Sequence, residues 1–208
     1  MQYIDSLLRI DIFDLDNIQN LRAIQTVFEL LRNRVGSSIS YSSIAQDVGV
    51  APNTVKKYIN LFEVLFIIFK VTPYAKNIAR SLAKEPKIYF FDNGLVQGDN
   101  GAKFENLAAL CLLKHAYAKT DYLGEQWKLQ YLKTKDGKET DFALIQDNKV
   151  VQIIEAKLSD PNPSKGLVWF QEKYGFPACQ IVKELRLEHK VKTIEIKKAI
   201  SFFQELFL

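Results

Sequence analysis

Three β-forming runs follow one another between residues 126 and 157, with no room for a helix between them. They cover residues 126–133, 140–146 and 149–157. Asp136-Gly137 and Gln146-Asp147-Asn148 join them, and both segments are rich in residues that favour hairpin turns. Three hairpin-linked strands commit the chain to a sheet, and the flanking segments decide its class. Residues 104–116 read as a helix. After the strands come a helix over about 164–174, strands near 179–185 and 191–196, and a final helix to residue 208. The order α-β-β-β-α-β predicts a mixed sheet with helices packed on its faces.

Upstream the pattern differs, and the change falls at a cluster of turn formers over residues 93–101. Leu21, Ile24, Val27, Phe28, Leu31 and Val35 recur at helical spacing until Gly36. A short helix over 41–48 is stopped by Gly49, and Pro52 restarts another, in the first-turn position that suits proline. Val55, Ile59, Phe62 and Leu65 form its apolar stripe. Two β-rich runs follow, 66–72 and 87–91, across a basic connection at 76–84. Helices and then a hairpin are the outline of a winged helix. The expectation is therefore an α/β (α+β) chain of two domains: a winged helix over 1–95 and a mixed-sheet domain over 96–208.

Residues 44–59 carry the look of a helix-turn-helix. Ala45 is small enough to let two helices approach, Gly49 makes the turn, and Val50 and Val55 plug the gap. The start of the second helix would then offer Asn53, Thr54, Lys56 and Lys57 to a DNA groove, lysine meeting phosphates and asparagine able to read adenine. Lys76 and Arg80, with Lys84 and Lys87, would follow the phosphate backbone from the wing. One departure is Ala51, which stands where a Ser or Thr cap is expected. The competing reading is a packing module whose lysines are solvated.

Charge placement does not choose between them. Residues 1–75 hold seven basic and seven acidic side chains, and the net +4 sits wholly in 76–208, with 21 against 17. Two cysteines and two histidines exclude a thiolate cluster and leave little for a histidine metal site, so any metal would rest on carboxylates. No apolar run approaches the roughly 20 residues that cross a bilayer, and the first residues lack the pattern of a secretion signal. A soluble, cytoplasmic protein with no membrane partner is expected.

The chemistry-bearing residues lie in the second part. Glu105 stands near the start of a helix, Asp141 opens a strand, and Glu155-Ala156-Lys157 ends the next. Alternation puts Val151, Ile153, Glu155 and Lys157 on one face, an odd choice for a simple buried surface. Asp141 and Glu155 on neighbouring strands would converge as oxygen ligands for Mg²⁺ or Mn²⁺, with Lys157 placed to orient water or to neutralise phosphate charge. The bland alternative is an ion pair on a solvated strand.

The spacing Asp–x(13)–Glu–x–Lys across a hairpin, with an upstream helical Glu, resembles the PD-(D/E)XK nuclease superfamily, whose restriction-endonuclease-like core has the αβββαβ order. By that resemblance Asp141 and Glu155 are metal ligands, Lys157 the catalytic lysine and Glu105 an auxiliary acid. Thr140 replaces the proline of the motif's name. A longer series of segments covers nearly the whole chain: residues 31–35, 41–59, 72–77, 86–95, 104–106 and 138–142. It is similar to the C-terminal region of a prokaryotic family of AAA-type ATPases, in which a winged helix and a nuclease-related domain of unknown function follow the motor. Residues 3–9 look like the tail of the ATPase lid. No G-x-x-x-x-G-K-[ST] occurs, so ATP hydrolysis by this chain is not expected. The resemblance implies a DNA-binding, Mg²⁺-dependent phosphodiesterase, or a non-catalytic DNA- or protein-interaction module that serves an ATPase module.

Overall fold

The computed structural model describes residues 21–75 and 85–207. Among them are six α-helices: α1 (Leu21–Arg32), α2 (Tyr41–Val48), α3 (Pro52–Val64), α4 (Asn100–Leu123), α5 (Lys165–Tyr174) and α6 (Ala199–Glu205). Eight strands, β1 (Ile68–Pro73), β2 (Lys87–Phe90), β3 (Trp127–Lys133), β4 (Glu139–Gln146), β5 (Lys149–Lys157), β6 (Ala178–Val182), β7 (His189–Val191) and β8 (Ile194–Lys198), form one mixed sheet in the order β2-β1-β3-β4-β5-β6-β8-β7.

The β3–β4–β5 meander lies where the sequence places it. Its second turn is built from Asp147 and Asn148, both at positive φ (49° and 62°), the two-residue geometry that matches the twist of paired strands. The helix expected over 104–116 is longer at both ends. Asp99 caps its N-terminus by accepting from Ala102 N–H at 2.8 Å, and Gly124, at φ 69°, closes its C-terminus. Ser164 caps α5 in the same way.

The expected wing is different. β1 and β2 do pair antiparallel, Ile68↔Phe90 through Val71↔Lys87, but β1 also runs parallel to β3 at Thr72↔Gln130 and Pro73↔Tyr131. The hairpin thus extends the central sheet instead of projecting from a separate domain. Its composition explains why: all four residues of β2 are buried, as are Ile68, Phe69 and Val71 of β1. Strands without apolar–polar alternation need cover on both faces. Residues 76–84, with Lys76, Arg80 and Lys84, lie outside the described residues, as do residues 3–9.

Two cores sandwich the sheet. Helices α1–α4 and α6 pack with Phe142, Leu144, Ile154 and Ala156 on one face. Helix α5 covers Leu132, Ala143, Ile145 and Ile153 on the other. Asn106 of α4, fully buried, grips the end of β2: it accepts from Phe90 N–H (2.8 Å) and donates to Phe90 C=O (2.9 Å). That clamp holds the neighbouring Glu105 over β2.

Candidate functional site

The β4–β5 ladder stops at Phe142↔Ile154, while β5 stays paired to β6 as far as Lys157↔Val182. Where backbone pairing between β4 and β5 ends, side chains take over. Asp141 N–H donates to Glu155 Oε2 (3.3 Å), and Ala156 N–H donates to Asp141 Oδ2 (3.1 Å). Two carboxylates therefore sit reciprocally between the strand ends, each fixed by the other strand's backbone. Lys157 Nζ reaches Glu155 Oε1 at 2.8 Å, keeping about a third of its side chain in solvent. Asp141, Glu155 and Lys157, which the sequence reading grouped, are brought together.

Glu105 joins them through residues that reading missed. Tyr89 O–H donates to Glu105 Oε1 (2.7 Å). Lys87, on the same side of β2 two residues earlier, is buried with its Nζ among Glu139 (2.8 Å), Asp141 (3.4 Å) and Glu105 (3.8 Å), and lies 5.4 Å from the centre of the Tyr131 ring. Its expected place on a phosphate backbone is thus corrected. A lysine without water needs carboxylate partners, and three surround it. The signal was available: Lys87-x-Tyr89 and Glu139-x-Asp141 each put two polar heads on one face of a strand, as Glu155-x-Lys157 does. Lys133 closes the set, 3.1 Å from Glu139.

Four carboxylates face three ammonium groups here, and the titration of the acids reflects the deficit. Burial, and then repulsion from Asp141, push the Glu105 carboxyl up to about 7, against the pull of Lys87 and the Tyr89 hydrogen bond. Burial and Asp141 likewise raise Glu155, with Lys157 opposing. Burial works to lower Lys87, but Asp141, Glu105 and Glu139 outweigh it and its ammonium is held charged. Glu139 goes the other way: burial opposes, yet contacts with Lys87 and Lys133 bring it below the usual carboxylate range.

No three His, Cys, Asp or Glu side chains among the described residues close into a ready-made metal cage. The converging pair Asp141 and Glu155 nevertheless suits Mg²⁺, which uses one or two protein carboxylates and completes its octahedron with water and phosphate. A cluster short of positive charge, with Glu105 and Glu155 both pushed above the usual carboxylate range, has the electrostatics that a dication satisfies.

Two further residues shape the site. Gly36, at φ +75°, lies against the Glu105 carboxylate, and a Cβ there would fall 2.5 Å from Oε1. Gln180, fully buried beside Glu155 in the register, donates to Asp160 and Asn162 C=O and accepts from Ser164 N–H, tying the loop after β5 to the start of α5.

The proposed DNA-reading residues sit elsewhere. Gly49, at φ 75°, ends α2, and Ala51 begins α3 without a side-chain cap. Asn53, Lys56 and Lys57 are exposed on the first turns of α3, Thr54 is half-buried, and Val55 is fully buried between the helices. Lys76 and Arg80 fall outside the described residues.

Residues 100–202 match the family model of a domain of unknown function, DUF4143, and residues 1–103 match that of another, DUF8612. No curated protein and no solved structure matches the chain.

Proposed function

We propose that this chain is a DNA-binding protein whose carboxylate–lysine cluster hydrolyses phosphodiesters with Mg²⁺ or Mn²⁺. The observation that carries this reading is the interruption of the β4–β5 ladder. Sheets do not give up backbone pairs to buried carboxylates without compensation, since the charged groups are costly to desolvate. Here Asp141 and Glu155 take the place of ladder bonds and face Lys157 at a point where solvent enters.

In this reading Asp141 and Glu155 hold the metal, which supplies charge to neutralise the scissile phosphate. Lys157, anchored to Glu155 and partly exposed, meets the phosphate or positions the attacking water. Glu105, titrating near neutrality, accepts a proton from that water, and Tyr89 and Lys87 keep its carboxylate oriented. The winged-helix and restriction-endonuclease-like descriptions belong to this same proposal, as does an ATPase partner in longer relatives. On α3, Asn53, Lys56 and Lys57 form the complementary DNA contact, with Thr54 beside them.

One observation favours a second reading, a non-catalytic interaction module. Each oxygen of Asp141 and Glu155 already has a protein donor. A cleavage assay separates the two. Incubated with plasmid and oligonucleotide DNA in Mg²⁺ or Mn²⁺, the protein is expected to cut, and Asp141→Ala and Lys157→Ala are expected to lose at least a hundredfold in rate. Cutting that persists unchanged in both variants would sink the assignment. An uncut substrate, with binding still weakened by Lys56→Ala/Lys57→Ala, supports the module.

A further inference from the structure

A cleft of 770 Å³ opens on the α5 face of the sheet, and no carboxylate of the cluster lines it. Its size falls in the range of about 300–1,000 Å³ typical of ligand sites. Aromatic rings make its wall. Tyr174, half exposed, stacks nearly parallel to Phe176 (5.3 Å, 15°) and to Phe170 (6.1 Å, 22°), and Trp169 meets it edge-on at 6.0 Å. Tyr74 crosses from the far side, its O–H donating to Asn148 C=O at 2.9 Å.

The rim is cationic. Lys133, Lys135, Lys149 and Lys173 line the cleft, against a single acid, Asp136. Among the described residues Lys135, Lys149 and Lys173 pair with no carboxylate, and Lys173 rests 4.5 Å over the Trp169 ring. Register spaces these charges. Lys133 lies opposite Glu139 and Lys149 opposite Gln146, so they stand at the two ends of β4, roughly 23 Å apart at 3.3 Å per residue.

We infer that this cleft binds single-stranded DNA, its bases packing against the aromatic wall at the half-exposed Tyr174 and its phosphates running between the lysines at the two ends. The combination selects the occupant. An acidic peptide would use the lysines and make no use of the half-exposed Tyr174 ring. A fatty acid would need one charged end, whereas the cationic groups here span the length of a strand. A free nucleotide would reach one end alone. A chain of several phosphates with π-faces between them uses all of it, and stacking of that kind tolerates any base sequence. Lys133 also joins the cleft to the carboxylate cluster, since it lines the former and pairs with Glu139 of the latter. The inference extends the phosphodiesterase reading by naming the strandedness of its substrate, and rests on that reading for the choice of DNA.

Binding can be measured without cleavage, by anisotropy of a labelled twelve-residue oligothymidylate in EDTA. The protein is expected to bind it at least tenfold more tightly than the same length of duplex or than thymidine monophosphate, with affinity falling steeply with salt. In a Trp127→Phe background the remaining Trp169 emission should be quenched on binding. Lys135→Ala/Lys149→Ala, both exposed positions, and Tyr174→Ala should each weaken binding about tenfold. Equal affinity for duplex, unchanged affinity in both variants, or silence of Trp169 would overturn the inference. Strand binding by a protein that cuts nothing would remove the phosphodiesterase reading and leave this one standing. Cleavage of duplex DNA without strand binding would do the reverse.

Discussion

Lys87 shows how much one buried charge can organise. Its ammonium has exchanged water for Glu139, Asp141, Glu105 and the face of Tyr131. Removing it leaves three carboxylates uncompensated, the situation in which buried ion clusters become strongly unfavourable. Lys87→Met, close in volume, is expected to cost about 3–5 kcal/mol in urea unfolding. A change below 1 kcal/mol would mean that the cluster is solvated in solution. Glu105 gives the pH dependence. Its carboxyl is raised from 4.5 to about 7 on folding, so folding takes up a proton between those values. Its contribution is complete below pH 4.5 and is lost as pH rises through 7. Glu105→Gln lacks that loss. In metal-free buffer the variant should therefore gain on the wild type by on the order of 2 kcal/mol between pH 4.5 and pH 8. A difference that stays constant with pH would contradict the raised value.

At the scale of elements, α5 docks unusually close to β4. A Cβ at Gly166 would collide with the Glu139 carbonyl oxygen, so only glycine lets the helix start seat against the strand that carries Glu139 and Asp141. Gly166→Ala should cost about 1–3 kcal/mol by thermal unfolding, while the exposed neighbouring change Lys165→Ala should not. Local signals in the sequence make most elements legible. The hairpin turns at Gly137 and Asp147–Asn148, the Ser164 cap and the Gly49 turn each act within a few residues. What was illegible needed long-range pairing. The junction of β1 with β3 joins residues nearly sixty positions apart, and no local pattern encodes it. The candidate site divides in the same way: Asp141, Glu155 and Lys157 lie within one hairpin, whereas Lys87 is 54 residues from Asp141 and looked like one more cation in a basic stretch.

For the whole molecule, the continuous sheet means that the helical first part and the meander share a framework. Helix α4 spans the junction: its Glu105 and Asn106 address β2, and its far end is tied to the chain's last described residue, where Phe207 N–H donates to His115 Nδ1 at 2.8 Å. No helix among the described residues is long and apolar enough to cross a membrane. The proposed chemistry sits where that framework opens, at the parted ends of β4 and β5, where the gathered acids would form a cation site. Calorimetric titration of Mg²⁺ into the protein, compared with Asp141→Asn and Glu155→Gln, tests that cation site. Saturable binding in the millimolar range is expected, and both variants should abolish it while remaining folded. Heats that are absent, or identical in all three proteins, would rule the cation site out.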